Sequence, residues 1–237
     1  MKTILIGTFY QLKTFIRIKK ALFFSFFFPS FIFIIFSLTW GRENTAYNYF
    51  LFTGIIMVTI ISDSLFSIGN VIVEYYQKGL IKFFKTIPYK FTNHLISLLF
   101  SRIVIIGLSC LLVFFVAFIF SQVTLSFDQL IHILTGMSFG IILFSLLGIV
   151  IAEVTRDYSG NTNIMNFVLF SLIFLSNTFY PLSEINPIFV DVIRFNPITS
   201  ILNIIRGETL NVLAILLWIL IVLSVHIVYI YKGQLKR

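Results

Sequence analysis

Six stretches of this chain are long and apolar enough to dissolve in hydrocarbon: residues 22–40, 49–68, 95–120, 130–152, 162–179 and 212–231. A helix rises about 1.5 Å per residue, so roughly 20 apolar residues cross the ~30 Å interior of a bilayer. Each run predicts one spanning helix, and the third is long enough to tilt or to begin at the interface. The predicted fold is an all-α membrane protein with six transmembrane helices, one domain over residues 1–237 with its bundle in 22–231.

Three polar-interrupted stretches predict helices outside the spans. In residues 1–20, Leu5, Phe9, Leu12 and Ile16 recur at helical spacing, with Lys13, Arg17 and Lys20 on a neighbouring flank. This suits an amphipathic helix lying in the headgroup layer, with Lys19 snorkelling from the apolar side. In residues 69–88, Lys78, Lys82 and Lys85 stand at i, i+4 and i+7, opposite Leu80, Phe83, Phe84 and Ile87. Pro88 ends that helix, because the residue before a proline is biased away from helical geometry. In residues 180–207, after Pro181, the pairs Asn186-Pro187 and Asn196-Pro197 each supply an N-cap followed by a first helical proline. They predict two half-helices on or in the outer leaflet, ending near Phe195 and at Arg206, where Gly207 is a natural stop.

Charge sets the expected orientation. Of 17 Lys and Arg, 14 fall on one side of a six-crossing arrangement: Lys2, Lys13, Arg17, Lys19, Lys20, Lys78, Lys82, Lys85, Lys90, Arg102, Arg156, Lys232, Lys236 and Arg237. Only Arg42, Arg194 and Arg206 fall on the other. The excess of basic residues on cytoplasmic loops then places both termini in the cytoplasm. Hydrophobic residues make up 59% of the chain and charged residues 11%, against roughly 25% charged in soluble domains. Lipid is therefore the expected surroundings, and the net charge of +8 reflects basic loops rather than nucleic-acid binding. The first span is expected to remain in the mature protein, since no small-residue cleavage site follows it. The single cysteine, Cys110, is read as packing.

The sequence offers little chemistry of its own. It has no G-x-x-x-x-G-K-[ST] phosphate loop, no H-E-x-x-H and no clustered His, Cys and Asp ligands. No catalytic, cofactor-binding or metal site is predicted. Gly136-Met-Ser138-Phe-Gly140 fits the G-x-S-x-G hydrolase pattern, with His226 in the sixth span as a candidate partner, but that elbow needs a strand–turn–helix setting. Inside a continuous helix, Gly136 and Gly140 read instead as a close-packing face. An ionisable residue in a span costs about 2.5–3.5 kcal/mol, so each calls for a partner. Asp63 and Arg102 lie at similar depths and are predicted to pair. His94, His132 and His226 are read as interfacial or packed, without partners.

Three stretches carry a family resemblance. They are the basic amphipathic start running into an aromatic span from Arg17 to Pro29, the segment Glu74-Tyr-Tyr-Gln-Lys-Gly79-Leu-Ile-Lys-Phe-Phe-Lys-Thr-Ile-Pro88, and Thr178-Phe-Tyr-Pro181 through Asn186-Pro187 and Phe195-Asn-Pro197-Ile-Thr to Arg206-Gly207. Together they resemble the permease subunits of type-2 ATP-binding-cassette transporters across the whole chain. The resemblance implies a multi-pass subunit of a bacterial plasma-membrane exporter carrying an amphipathic or apolar cargo such as a peptide, drug or lipid-linked molecule. It implies that Mg-ATP is hydrolysed in a separate ATPase chain, contacted through Glu74, Lys78, Gly79, Lys82, Lys85 and Pro88, and through Lys13 and Arg17. A second copy or a paralogue would complete the pathway, in contact with lipid. The competing classes are a producer-immunity protein, a secondary transporter and, more remotely, an intramembrane serine hydrolase.

Overall fold

The computed structural model describes residues 2–41, 45–84, 86, 89–181, 189–208 and 212–235, and among these the secondary structure is entirely helical. Helix α1 (Lys2–Arg17) leads into the long helix α2 (Lys19–Trp40), and α3 (Thr45–Gln77) follows. A one-turn helix α4 (Leu80–Phe83) precedes α5 (Phe91–Ser121) and α6 (Phe127–Thr155). Then come α7 (Tyr158–Phe174), the short α8 (Phe189–Phe195) and α9 (Pro197–Arg206), and finally α10 (Val212–Leu235). Among the described residues five helices, within α2, α3, α5, α6 and α10, are long and apolar enough to cross a membrane. Helix α7, which carries most of the predicted fifth span, has 17 residues.

Helix α3 is the axis of the bundle. In its most apolar stretch 78% is buried, against 17% in α2 and 11% in α10. It meets α6 along a seam where glycines bring backbones together. A Cβ on Gly148 would stand 2.6 Å from the Leu65 carbonyl oxygen and 3.3 Å from the Gly69 nitrogen. One on Gly69 would stand 2.7 Å from Met165 Sδ. The outer faces of α2, α5 and α10 instead display large apolar side chains, among them Phe31, Phe115 and Leu220.

The predicted boundaries move where local chemistry outweighs hydropathy. Residues 69–77 are not a separate helix: α3 runs on through them for 33 residues, about 50 Å at helical rise, well beyond the thickness of hydrocarbon. The break comes at Gly79, whose φ of +67° is a conformation that glycine adopts at no steric cost. Lys85 and Pro88, expected to close that helix, lie outside the described residues.

At the other end of the chain, α9 starts as predicted at Asn196, whose Oδ1 accepts from the Ile198 N–H, and stops at Gly207 with φ +73°. It does not lie at a surface. Eight of its ten residues are buried, from Pro197 to Leu202 and again at Ile204 and Ile205. Helix α8 ends at Phe195 as expected, while Asn186 and Pro187 lie outside the described residues.

Candidate functional site

The residues of interest gather in four places. The first is a cleft of about 610 Å³ between α2, α3 and α7. Its α2 wall owes its shape to Pro29. That residue has no N–H, so the Ser25 carbonyl one turn earlier loses its helical partner. The chain widens there into a π-helical turn, Phe23–Phe27, and the freed carbonyl accepts from the Ser109 hydroxyl of α5. The Ser25 hydroxyl turns the other way and donates to Asp63 Oδ1 at 3.2 Å, as does Ser67.

Asp63 is the charged member of the cleft lining, which is otherwise built largely of phenylalanines, including Phe24, Phe28 and Phe66. Its Oδ2 has no hydrogen-bond partner among the described residues and lies 3.9 Å from Arg102 Nη1, the two side chains being 9% and 8% exposed. The structure thus brings Asp63 and Arg102 together across α3 and α5, at a distance beyond hydrogen bonding. Arg102 is capped on its far side by Phe15 of α1, whose ring centre is 5.3 Å from the guanidinium carbon.

The second place is the exposed edge formed by the end of α3, the Gly79 turn and α4. Glu74, Lys78, Gly79 and Lys82 are all exposed, with Lys78 paired to Glu74 one turn away. Lys13 and Arg17 are exposed on α1. That helix is held on α5 by Ser97, whose hydroxyl donates to the Ile4 carbonyl at 3.1 Å. Gln11 lies 3.5 Å from His94, and Tyr75 Oη lies 2.5 Å from the same His94 nitrogen. His94 thus ties α1, α3 and α5 together, where the sequence reading gave it no partner.

The third place was missed in the sequence. Glu153, buried near the end of α6, lies 2.8 Å from His226 Nδ1 on α10. Arg156 stacks its guanidinium between Tyr76 of α3 and Tyr229 of α10, at 5.8 and 5.7 Å from their ring centres. His226 therefore has a partner, contrary to expectation. The available signal was depth: Glu153 and His226 both stand near the same end of their spans. Beside them Asp157 caps α7, accepting from the Gly160 N–H at 2.7 Å and the Ser159 hydroxyl at 3.0 Å, and these bonds hold its carboxyl below the usual range.

The fourth place is the clamp at the end of α9. Arg206 donates from Nε to Thr53 Oγ1 at 3.0 Å and from Nη2 to the carbonyls of Asn177 at 2.9 Å and Phe50 at 3.4 Å. Its guanidinium lies 3.8 Å from the Phe50 ring centre. Burial pushes it down to about 10, against the opposing pull of Glu208 and Tyr49, so it is a cation at neutral pH. Asn196 closes the other end, donating to the carbonyls of Leu172 at 2.7 Å and Leu175 at 2.8 Å. The turn after α7, which includes Pro181, is thereby held against α3. A Cβ on Gly54 would run into the Thr178 carbonyl.

Among the described residues nothing assembles a hydrolase. Ser138 donates back to the Leu134 carbonyl at 2.8 Å, and His226 is engaged with Glu153. Gly136 and Gly140 lie where the helix meets neighbours: a Cβ on Gly140 would stand 2.7 Å from Ile60 of α3, and one on Gly136 would collide with Ile205 of α9. No group of three or more metal-ligating side chains occurs among the described residues. What the geometry offers is an apolar cleft, an exposed charged edge and helices suited to lipid.

A comparison with known families agrees with that inventory. A family model described as ABC-2 type transporter matches residues 3–210. No match was found among curated proteins. With its long apolar helices this is a multi-pass protein of a bacterial membrane, and the chain belongs to the ABC-2 type transporter family.

Proposed function

We propose that this chain is the permease subunit of an ATP-driven exporter, that the ATPase is a separate polypeptide, and that two copies, or this chain and a paralogue, enclose the pathway. The family match over residues 3–210 carries the reading, since members of this family work with ATP-binding-cassette ATPases. The sequence contains no phosphate loop of its own, which fits a subunit driven by a partner.

In this reading α7 is the fifth of six crossings and both termini are cytoplasmic. Seventeen residues reach about 25 Å, close to the hydrocarbon thickness, and the turn to Pro181 completes the passage. The basic partition of the sequence supports the orientation. Helix α3, at about 50 Å, then projects beyond the bilayer on the cytoplasmic side and ends in the Glu74–Lys82 edge. That edge, with Lys13 and Arg17, is the face assigned to the ATPase, and Lys85 and Pro88 belong to the same stretch of chain. Because α1 is hydrogen-bonded to α5 and caps Arg102 through Phe15, a push on α1 has a short packed route to the cleft. The cleft between α2, α3 and α7 is the proposed cargo site, its aromatic walls suiting an amphipathic or apolar molecule.

Photo-crosslinking tests the assignment. A benzoylphenylalanine at position 82 or 13 is expected to capture the ATPase encoded with this chain, and one at Phe115, on the exposed apolar flank of α5, is not. Cargo export that persists while neither position 82 nor 13 ever captures an ATPase would overturn it.

A further inference from the structure

We infer that the α2–α3–α7 cleft is selective for a lipophilic cation, a bulky and delocalised positive charge such as a phosphonium or quaternary ammonium. The inference deepens the cargo reading above and rests on it only in treating the bound molecule as cargo.

Three observations lead there. First, the charge facing the cleft is negative. Asp63 lines the cleft, and Arg102, its loose neighbour at 3.9 Å, is not among the lining residues. Arg102 sits behind the wall under the Phe15 ring, so a molecule in the cleft meets the carboxylate before the guanidinium. Second, the carboxylate is incompletely satisfied. Oδ1 accepts from Ser25 and Ser67 at 3.2 Å each, while Oδ2 and Arg102 Nη1, 3.9 Å apart, both lack a hydrogen-bond partner among the described residues although the Asp63 side chain is only 9% exposed. A buried anionic oxygen without a donor favours the arrival of positive charge and disfavours an anion. Third, the rest of the lining suits a weakly hydrated cation. Phe24, Phe28, Phe66, Phe170, Phe174 and Tyr180 present rings, whose negative faces attract a cation.

The hydroxyl protons of the cleft are already engaged. The hydroxyls of Ser62 and Thr59 donate back to their own helix, to the carbonyls of Val58 at 2.6 Å and Ile55 at 2.8 Å. Those of Ser25 and Ser67 are committed to Asp63. With their protons engaged, these hydroxyls have none to offer an anion, although their lone pairs stay available, whereas a phosphonium or quaternary centre needs no donor. The cleft volume of about 610 Å³ falls within the usual range of pockets for drug-sized ligands, about 300–1,000 Å³.

The test uses two ions of nearly the same shape and opposite charge. The purified full chain in lipid nanodiscs, without any ATPase, is equilibrated with tetraphenylphosphonium or tetraphenylborate, and uptake by empty nanodiscs is subtracted. Protein-specific binding of the phosphonium at least tenfold tighter than that of the borate is expected. The double variant Asp63→Asn/Arg102→Gln removes both buried charges together and is expected to bind phosphonium at least tenfold more weakly while still eluting as a folded species. Equal affinity for the two ions would overturn the inference and mark the cleft as a groove filled by lipid chains or by a second copy. Undiminished phosphonium binding in a folded double variant would overturn it as well. The wild-type comparison decides the matter alone if the double variant does not fold. Phosphonium binding that survives in a protein showing no ATP-driven transport would sink the exporter reading and leave the site intact.

Discussion

Replacing Arg206 with methionine removes the charge and the fork while keeping much of the side-chain volume, and it tests whether the α9 clamp holds the outer half of the bundle together. Two short hydrogen bonds go to Thr53 and Asn177, a longer one goes to Phe50, and the guanidinium packs on the Phe50 ring. Hydrogen bonds to a charged group contribute about 1.5–3 kcal/mol each. A cation over a ring adds about 0.5–2 kcal/mol. The desolvation of the half-buried guanidinium offsets part of this, and the bonds share one side chain, so their values do not add. We expect a net loss of about 3 kcal/mol, a fall in melting temperature of about 6–12 °C for a chain of this size. Arg206→Lys keeps the charge but cannot reach Thr53 and Asn177 at once, and should fall roughly halfway. The assay is thermal unfolding of the purified protein in one detergent, followed by tryptophan fluorescence, since Trp218 of α10 donates to the Phe195 carbonyl beside α9. Arg206→Met melting within about 2 °C of the wild type would refute the clamp.

Three further outcomes are expected. Gly148→Ala forces a Cβ against the Leu65 carbonyl and should cost about 1–3 kcal/mol, whereas Gly107→Ala, with nothing within 4 Å of its Cβ, should be neutral or stabilising by up to about 1 kcal/mol; a reversed order of melting temperatures would discredit the α3–α6 seam. Asp63→Arg and Arg102→Asp each leave buried like charges and should lose about 3 kcal/mol or more, with expression recovering in the exchanged double variant; equal failure of the double would show that the pair contributes through its other contacts alone. In a Cys110→Ser background, a cysteine at Asp128 should react with a membrane-impermeant maleimide in intact cells and one at Lys78 only after permeabilisation, and the opposite pattern would invert the proposed orientation.

How far the sequence could be read depended on whether the governing contact was local. The apolar runs located the long helices, and Asn196, Pro197 and Gly207 marked both ends of α9 because caps act on their own turn. The end of α3 was misplaced because hydropathy marks where apolar surface stops, not where hydrogen bonding does. Asn70, Glu74 and Gln77 interrupt the apolar run, yet Ile72 and Val73 between them stay buried and the helix continues until Gly79 turns left-handed. The burial of α9 was not legible because caps fix where a short helix begins and ends, not what it packs against. The pairing of Asp63 with Arg102 was readable from depth, yet the equally matched Glu153 and His226 were not joined, because depth alone does not say which way a helix is rotated. The cleft belongs to the same class. It arises from three helices far apart in the chain and from a carbonyl that Pro29 sets free, and only the fold shows that Ser109 and Asp63 converge on Ser25.

The proposed function requires that this chain move cargo only when a separate ATPase drives it. Reconstituting the purified chain in liposomes, with and without an ATP-binding-cassette ATPase that co-purifies with it, measures that directly through uptake of a labelled lipophilic cation. The account predicts accumulation that requires both polypeptides and ATP and is abolished by vanadate. Accumulation by the chain alone, in vesicles with no nucleotide and no second protein, would contradict it.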